Sequence, residues 1–533
     1  MNRYTAGAAS LGLANYVKRH AGGGTPSIVI AHDSRTHSAP FAREAAQIFA
    51  AAGVKAYLFE ALRPTPELSF AVRHLRATAG IVITASHNPR QYNGYKVSWS
   101  DGAQVIPPHD GGIIAEVRAI TGAGQIKFAG FEEARRGGLI EIIGREVDEA
   151  YLQALDAQRL CRGLDASIPA GLRIVYSPLH GTGATLVPEA LRRWGFTQVS
   201  LVEAQATPDG TFPTAPKPNP EERAAMELAL AQAAREGADL VMATDPDADR
   251  IGIAVPNAQG EWILLNGNQT ASLMAHFICT RLREEGRLPA DGVIVKTIVT
   301  TELIAALCRH HGVACVDVLT GFKWIGAKIR EWEEARAAGQ PSQTFLFGGE
   351  ESYGYLAGTH ARDKDAVVCA CVIAEMAAWA KSQGKTLLDL LDELFAACGV
   401  HIESLVSLER EGLAGLDQIN AMMAKLRQAP PTAIAGVPAV ALMDVDAGTR
   451  TDLVLRTTES VDLPKSNVLH FSLEGGGKVV ARPSGTEPKI KFYFGATEGM
   501  LQKSQRRLPL AEKTRLVREL LTELEQDFVR LVE

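Results

Sequence analysis

Short apolar runs alternate with longer segments of helical periodicity over much of the chain. SIVIAHD is followed by the helical pattern PFAREAAQIFAAAG, RIVYSP by VPEALRRWG, and GVIVKTIV by TELIAALCRHHG. Because strands that alternate with helices usually pair in parallel, this pattern predicts parallel sheets covered by helices. The alternation is weaker after residue 398, and residues 510–533 form a charged, helix-like ending.

Three breaks in this pattern, near residues 164–171, 257–267 and 398–401, divide the chain into four predicted domains. We assign residues 1–165, 166–266, 267–397 and 398–533 to them. A length of 533 residues is several times that of a usual domain, which agrees with such a division. The proline-rich segment TFPTAPKPNPEE, residues 211–222, predicts an extended connector that ends in a helix start, with Asn219 as the cap and Pro220 in the first turn.

Composition excludes several classes of protein. The 55 basic and 61 acidic residues are interspersed and give a net charge of −6, so the sequence offers neither a broad cationic face for nucleic acid nor a polybasic membrane anchor. A small anionic ligand needs only a local basic pocket. The start of the sequence lacks the apolar core and cleavage site of a signal peptide, and no window holds the roughly 18 apolar residues of a membrane span.

The seven cysteines refine the predicted location. Their number is odd, no CxxC pair occurs, and most of them lie in apolar context. These features are typical of buried thiols in a reducing compartment. We therefore expect a soluble, cytoplasmic protein.

One layout recurs three times: an apolar strand runs directly into a polar loop, in GIVITASHNP, ADLVMATDPDADR and TFLFGGEESYG. In open parallel sheets, ligand groups gather just beyond the carboxyl ends of strands. We therefore predict that these three loops line one cleft.

The loop TDPDADR places Asp245, Asp247 and Asp249 at alternate positions. Three converging carboxylates repel one another unless a hard cation neutralises them, and all-oxygen ligation suits magnesium. A solvated acidic turn is the alternative, but the loop follows a buried strand and continues into the apolar IGIAV. An EF-hand is excluded, because Arg250 stands where glycine is required and Pro256 where a glutamate is required.

Ser86 has two interpretations from the local sequence. A serine after a strand is commonly a turn former that hydrogen-bonds the next backbone amides. A hydroxyl beside a magnesium site and a lysine is arranged for phosphoryl transfer, and Lys96 follows through the turn YNGYK. The sequence around Ser86 does not match GxSxG, so an acyl-transfer triad is disfavoured. The local residues leave both the turn and the phosphoryl carrier open.

Two further loops carry groups suited to a sugar phosphate. RPSGTEPKIKFY combines the guanidinium of Arg482 with hydroxyls, a glycine and Lys489, a set that suits a phosphate dianion better than an ordinary hairpin turn. GGEESYG offers Glu350 and Glu351, whose carboxylates suit vicinal sugar hydroxyls, although a solvated acidic turn fits this loop equally well.

Two nucleotide-binding alternatives are disfavoured. HGTGATL gives Gly181-x-Gly183 after a strand, but Leu186 stands at the third position of the dinucleotide fingerprint. The sequence contains no GxxxxGK[ST], so P-loop nucleotide hydrolysis is not supported.

Taken together and in order, these motifs resemble those of the α-D-phosphohexomutase superfamily, and most closely its bacterial phosphoglucomutase/phosphomannomutase branch. The matching segments are TASHNP, YNGYK, SPLHGTG, DPDADR, TGFKWIG, EESYGYL, RDKDA and RPSGTEPKIKFY. The match as a whole covers essentially the entire chain from Met1 to about Tyr493. The resemblance implies three related α/β domains with mixed sheets and a smaller C-terminal α+β domain around a central cleft.

The resemblance also implies roles for individual residues. Ser86 is expected as a phosphoserine, and Mg²⁺ is expected on its phosphate and on Asp245, Asp247 and Asp249. Arg250 is expected to contact that phosphate, and Lys96, with His87 as an alternative neighbour, to assist proton transfer. The expected substrate-binding residues are Gly321, Phe322 and Lys323 of TGFKW, Glu350 and Ser352 of EESYG, Lys364 of RDKDA, and Arg482, Ser484, Gly485 and Thr486 around the phosphate that does not react.

The implied activity is a phosphohexomutase that interconverts a hexose 1-phosphate and a hexose 6-phosphate, with a hexose 1,6-bisphosphate as intermediate and activator. The expected partner is this small sugar phosphate, with no nucleic acid and no membrane, and a monomer is plausible. Glucose is the favoured sugar, mannose and pentose phosphates are alternatives, and EESYG argues against glucosamine.

A third hypothesis concerns the start of the chain. Family members usually carry an upstream Gly-Thr-Ala/Gly-Gly-x-Arg segment whose arginine points into the active site, and MNRYTAGAASLGLANYV matches the helix that normally follows it. Either the start codon is misassigned or the chain truly lacks that segment, and in the second case we expect a missing sheet-edge strand and poor turnover. Such a chain would be a sugar-phosphate-binding protein with little catalysis.

Overall fold

The computed structural model of the chain describes residues 1–410, 412–484 and 488–533. These residues form two compact units, Met1–Val295 with Gly321–Leu388 and Lys296–Thr320 with Asp389–Glu533. The boundaries of the four predicted domains stay a prediction.

The first sheet has the strand order β4-β3-β1-β2-β5. Strands β1, β2, β3 and β5 pair in parallel, and β4 runs antiparallel to β3. Ile28 and Ile30 of β1 pack into one apolar cluster and Val29 and Ala31 into another, so the sheet is buried on both faces. The elements are α1 (Arg3–His20), β1 (Ser27–His32), α2 (Ser38–Ala51), β2 (Lys55–Phe59), α3 (Thr65–His74), β3 (Ala79–Ile83), β4 (Tyr95–Trp99), α4 (His109–Arg118), α5 (Phe131–Arg136), β5 (Ile140–Ile143) and α6 (Arg145–Asp156).

The second sheet has the order β10-β9-β8-β6-β7, with β7, β6 and β8 parallel and β9 and β10 antiparallel. The elements are α7 (Ser167–Ala170), β6 (Arg173–Ser177), α8 (Gly183–Arg193), β7 (Gln198–Leu201), α9 (Glu203–Ala206), α10 (Arg223–Glu236), β8 (Leu240–Thr244), β9 (Ile251–Pro256) and β10 (Trp262–Leu265).

The predicted start of the helix after the proline-rich connector is wrong by a few residues. α10 begins at Arg223, after Glu222 at the N-cap position. Asn219 instead closes a separate turn, since its side chain accepts a hydrogen bond from the Glu221 amide at 3.1 Å and its carbonyl accepts from the Glu222 amide at 3.0 Å. An asparagine forms such a local turn as readily as it caps a helix, and sequence alone does not separate the two.

The third sheet has the order β12-β11-β13-β14, and the boundary between the two units falls within β11. β13 and β14 form an antiparallel hairpin. The elements are α11 (Gly267–Glu284), β11 (Gly292–Thr297), α12 (Leu303–His311), β12 (Ala314–Val318), α13 (Lys323–Ala337), β13 (Thr344–Glu350), β14 (Gly354–Ala357) and α14 (Ala366–Ser382).

The second unit is built on an eight-stranded sheet. Its order is β15-β22-β21-β20-β17-β18-β19, and β16 pairs with β17. The ring of Phe528 on α17 lies 5.4–5.9 Å from the rings of Phe471, Phe492 and Phe494, which fixes the last helix on this sheet. The elements are α15 (Leu387–Cys398), β15 (His401–Glu409), α16 (Gly412–Gln428), β16 (Ala433–Ile434), β17 (Val437–Asp444), β18 (Thr449–Asp452), β19 (Thr458–Ser460), β20 (Leu469–Leu473), β21 (Lys478–Pro483), β22 (Lys489–Thr497) and α17 (Leu510–Val532).

The predicted fold class is confirmed: three mixed sheets with helices precede an antiparallel sheet with helices. Within the described residues, no single helix is long and apolar enough to cross a membrane, and only α14 and α15, taken together as a bent pair, reach that length and hydropathy. Five of the seven cysteines are buried, as the sequence predicts, and the other two are half-buried.

Candidate active site

Ser86 lies in the loop between β3 and β4, in a strained backbone conformation. β3 ends at Ile83, and the Thr84 amide closes the base of the loop by donating to the Gly94 carbonyl at 3.1 Å. Ser86 has a φ of +51°, in the left-handed region that a residue with a side chain rarely adopts, and its amide donates to Thr84 Oγ1 at 2.9 Å. The residue is only 8% exposed, so its hydroxyl faces the interior of the first unit.

The three aspartates occupy the tight turn between β8 and β9. Oδ1 of Asp245 accepts hydrogen bonds from the amides of Asp249 and Arg250, both at 3.1 Å, so the first aspartate closes the turn. Asp245, Asp247 and Asp249 are all buried, and one carboxylate oxygen from each lies within 4.8 Å of the other two.

The loop between β3 and β4, residues 84–94, is called the serine loop, and the turn between β8 and β9, residues 245–250, the aspartate loop. The two loops are in direct contact. Ser86 Oγ donates to Asp245 Oδ2 at 2.7 Å and accepts from Arg250 Nη1 at 2.7 Å. Arg250 Nε donates to the Ser352 carbonyl at 3.0 Å, which joins the third strand-end loop to the same point. The structure therefore brings together the three loops that the sequence places at one cleft.

Two lysines flank the aspartates. Lys96 on β4 lies with Nζ 2.7 Å from Asp247 Oδ2 and 3.2 Å from Asp249 Oδ2. Lys364 Nζ lies 3.0 Å from Asp249 Oδ2 and 3.1 Å from Asp363 Oδ1. Burial opposes ionisation of Asp249, but Lys364, Lys96 and Arg250 outweigh it and hold the pKa of Asp249 below its ordinary value. The pKa of Asp245 is raised, because burial and the two neighbouring carboxylates both disfavour its charge.

The aspartate cluster is chemically suited to a divalent cation. Oδ1 of Asp247 and Oδ1 of Asp249 are buried and have no hydrogen-bond partner. Unpartnered buried carboxylate oxygens are costly, and a hard cation with oxygen ligands relieves both that cost and the mutual repulsion. The cluster can therefore hold a metal ion, as its sequence predicts.

His87 is a neutral side chain in this site. Its Nδ1 accepts from Arg250 Nη1 at 2.6 Å and lies 3.4 Å from Ser86 Oγ. Burial and the charge of Arg250 lower the pKa of His87 to about 3. A base this weak takes up few protons near neutral pH.

The residues expected to hold the sugar lie at the ends of β13 and α13. Glu350 is buried at the end of β13, and its Oε1 accepts from the Gly321 amide at 2.8 Å. Phe322 is buried at the N-cap position of α13, and Lys323 Nζ lies 5.2 Å from the Trp324 ring. Ser352 reaches Arg250 through its carbonyl. Their roles toward a sugar stay predictions.

The described residues of the predicted phosphate-binding loop belong to the second unit. Arg482 is on β21 and is half-buried, and the Ser484 amide donates to the Lys489 carbonyl at 2.7 Å just beyond that strand. Gly485 and Thr486 lie outside the described residues.

Two residues at the site, Arg35 and Thr65, escaped the sequence analysis, and a third, Gly181, was weighed there only as part of a dinucleotide fingerprint. Arg35 follows β1 in AHDSR, the same strand-to-polar-loop layout that revealed the other loops, so that signal was present. Thr65 begins α3 and donates to Asp247 Oδ2 at 2.8 Å. Gly181 gives Pro246 room, since a Cβ there would lie 2.4 Å from Pro246 Cα.

The chain belongs to the phosphoglucomutase/phosphomannomutase family of the α-D-phosphohexomutase superfamily, which are intramolecular phosphotransferases. Residues 1–123, 149–260 and 266–398 match its alpha/beta/alpha domains I, II and III, and residues 419–505 match its C-terminal domain. The predicted family is thereby confirmed.

Similar proteins carry the same family name. Phosphoglucomutase of Staphylococcus haemolyticus is 37% identical over 495 residues, which cover 93% of this chain and 86% of that protein. Phosphoglucomutase of Staphylococcus aureus strain USA300 is 38% identical over 500 residues, 92% of this chain and 86% of that protein. The crystal structure of the Paramecium phosphoglucomutase parafusin has a TM-score of 0.69 at 16% identity and covers 99% of this chain and 92% of that one, a likeness in fold alone.

Proposed function

We propose that this enzyme interconverts glucose 1-phosphate and glucose 6-phosphate through a phosphorylated Ser86. The contact between Ser86 Oγ, Asp245 and Arg250, at 2.7 Å on both sides, is the observation that carries the proposal. A buried hydroxyl between a guanidinium and a carboxylate cluster is suited to carrying a phosphoryl group. The sequence relatives at 37% and 38% identity, both phosphoglucomutases, favour glucose over mannose or a pentose.

The proposed metal is Mg²⁺, held by Asp245, Asp247 and Asp249 together with the phosphate on Ser86. A bound Mg²⁺ supplies Lewis-acid neutralisation of the phosphoryl oxygens. The unpartnered oxygens of Asp247 and Asp249 supply ligand positions for it.

The protein's own residues would position the phosphoryl group and exclude water. The P–O bond to Ser86 would break as a sugar hydroxyl forms its own bond to phosphorus, and the proton of that hydroxyl would end on Ser86 Oγ, which is restored as a free serine hydroxyl. Arg250 already donates to Ser86 Oγ, and it would stabilise the negative charge that develops on that oxygen as the P–O bond breaks. We assign the assistance of proton transfer to Lys96. Burial lowers the pKa of Lys96, but Asp247 and Asp249 outweigh it and raise that pKa, so Lys96 would take part as a charged proton donor. His87, whose Nδ1 accepts from Arg250, is a polar contact of that arginine.

The sugar-phosphate contacts complete the proposal. Glu350 and Ser352, with Gly321, Phe322 and Lys323 beside them, would hold the sugar hydroxyls. The phosphate that does not react would be held by Arg482, Ser484, Gly485, Thr486 and Lys364. Hexose 1,6-bisphosphate would then turn over within the site and return its other phosphate to Ser86, so it would also act as an activator.

The charge and the cysteines of the chain bear on its cellular location and its partners. A charge of −6 with interspersed signs and buried cysteines fits a cytoplasmic enzyme of small metabolites that binds neither nucleic acid nor membrane. The serine and aspartate loops meet within one chain, which agrees with a monomer.

A coupled assay of glucose 6-phosphate formation from glucose 1-phosphate tests the function. The parent protein should be active with Mg²⁺, and Ser86→Ala should be inactive. Ser382→Ala, at an exposed hydroxyl that donates to the Trp379 carbonyl, is the matched control and should be fully active. Undiminished turnover in Ser86→Ala would refute the phosphoserine.

The same assay separates the alternatives. Higher kcat/KM with mannose 1-phosphate or a pentose 1-phosphate would replace glucose as the substrate. Binding of glucose 1-phosphate with no turnover by the parent protein would identify a sugar-phosphate-binding protein. Asp247→Ala should lose both activity and Mg²⁺ dependence, and a variant still activated by Mg²⁺ would contradict the metal assignment.

A further inference from the structure

Arg35 binds the backbone of the serine loop, although no contact links it to the serine hydroxyl. Its side chain is fully buried. Nη2 donates to the carbonyls of Ser86 and Asn88, and Nη1 donates to those of Pro89 and Tyr92, both at 3.0 Å. One guanidinium thus donates hydrogen bonds to four backbone carbonyls of a single loop.

This arrangement uses the specific geometry of a guanidinium. Arginine has five N–H donors in a rigid planar fork, whereas the lysine ammonium has three donors on a flexible stem. Backbone carbonyls that are shielded from water need hydrogen-bond partners, and here the buried carbonyl of Ser86 and three part-buried carbonyls converge on one side chain. No other side chain offers so many donors in one plane.

Arg35 is itself held on both sides. Its Nε lies 3.1 Å from Asp33 Oδ2, and Asp33 in turn accepts from Thr84 Oγ1 at 2.7 Å and from Ser38 Oγ at 2.7 Å. The guanidinium carbon lies 5.1 Å from the centre of the buried Phe212 ring. These contacts fix the position of the guanidinium between the end of β1 and the segment that contains Phe212.

The contact between Arg35 and the Ser86 carbonyl bears on the strained backbone of Ser86. A left-handed φ at a residue with a side chain persists only where the surroundings enforce it. The Ser86 carbonyl, which Arg35 binds, fixes the rotation of that residue and hence the direction of its Oγ toward Asp245 and Arg250. Loosening the carbonyl would let the backbone relax and turn the hydroxyl away.

We propose that Arg35 is a positioning residue for phosphoryl transfer: it fixes the backbone of the serine loop so that Ser86 Oγ keeps one place with and without a phosphate. This inference rests on the proposed function and deepens it. Arg35 acts through Ser86 and does not contact the reacting oxygen in this structure.

The test compares Arg35→Lys with Arg90→Lys, the same substitution at an exposed position of the same loop. Because a small displacement of a reacting group can cost on the order of 100-fold in rate, kcat of Arg35→Lys should fall by about that factor. KM for glucose 1-phosphate should change little, since an interaction that serves the transition state lowers kcat. Arg90→Lys should match the parent.

A second measurement reports the stability of the serine loop independently of enzyme activity. Hydrogen exchange of the amides in residues 84–94 should speed up in Arg35→Lys and stay as in the parent in Arg90→Lys. Unchanged exchange in Arg35→Lys, or a parent-like kcat per folded molecule, would overturn the role of Arg35. An inactive parent would instead refute the proposed function, and the exchange measurement would still decide the positioning.

A milder variant covers the case in which Arg35→Lys does not fold. Phe212→Leu keeps every donor of Arg35 and removes only the aromatic face beneath it. It should lower kcat by a smaller factor with KM kept, and it should speed exchange in the same loop. Parent-like values of both quantities in Phe212→Leu would overturn the proposal.

Discussion

Thr65→Val isolates a single hydrogen bond to the aspartate cluster. Thr65 is the first residue of α3 and is 3% exposed. Its amide donates to the Asp247 carbonyl at 2.9 Å, and its Oγ1 donates to Asp247 Oδ2 at 2.8 Å. Valine keeps the branched shape and the amide, so only the hydroxyl bond to the carboxylate is lost.

The size of the effect follows from that bond. A hydrogen bond to a charged group contributes about 1.5–3 kcal/mol, and about 1.4 kcal/mol corresponds to a tenfold change in an equilibrium constant. Lys96 Nζ, 2.7 Å from the same oxygen, remains and partly holds the carboxylate. We therefore expect the lower end of the range, about a tenfold weaker metal affinity, which agrees with the roughly 10- to 100-fold effects of residues that orient metal ligands.

The assay is a Mg²⁺ titration of mutase activity, paired with calorimetric Mn²⁺ binding as a measure that does not depend on turnover. Thr65→Val should need about ten times more Mg²⁺ for half-maximal rate and should approach the parent rate at saturation. Thr185→Val, whose hydroxyl donates only to the Thr182 carbonyl before its own helix, is the matched control. Unchanged metal affinity in Thr65→Val would refute the view that Thr65 orients Asp247.

Two further substitutions test the packing and the charge of the molecule. Gly181→Ala should lower kcat on the order of 100-fold, because its Cβ would lie 2.4 Å from Pro246 Cα and displace the aspartate loop. The control is Gly111→Ala, which has open space around the added Cβ and should match the parent in the same assay. Burial raises the pKa of Glu403 from 4.5 to about 7, so the folded state binds the proton more tightly than the unfolded one, and stability falls as the pH rises through this window. Glu403→Gln should remove that loss, gaining up to about 3 kcal/mol over the parent at pH 8 and only about 1 kcal/mol at pH 5. Thermal unfolding at the two pH values measures this difference, and an equal gain at both would contradict it.

Much of the site was predictable because it depends on local chemistry at strand ends. Asp245, Asp247 and Asp249 stand at alternate positions of one short loop, and Ser86 directly follows a buried strand. Their sequence context therefore carries the signal. The strand–helix alternation likewise predicted the sheets, because burial on both faces demands continuous apolar strands.

Other parts of the site depend on contacts between distant segments. Thr65 and Asp247 are separated by 182 residues, and no spacing rule connects them. Gly181 matches the first position of a dinucleotide fingerprint that fails at Leu186, but its close approach to Pro246 exists only in the folded chain. Arg35 was overlooked for a different reason: one cation after a strand suggests an ordinary surface residue until its four carbonyl partners are known.

The most direct test of the account is to follow phosphate on Ser86. The protein is incubated with glucose 1,6-bisphosphate labelled in its phosphates, the labelled peptide is identified by mass spectrometry, and the label is then chased with glucose 1-phosphate. We predict one phosphate per chain, located on Ser86, that passes to sugar at least as fast as the enzyme turns over. Label on another residue, or label on Ser86 that leaves more slowly than turnover, would contradict the proposed mechanism.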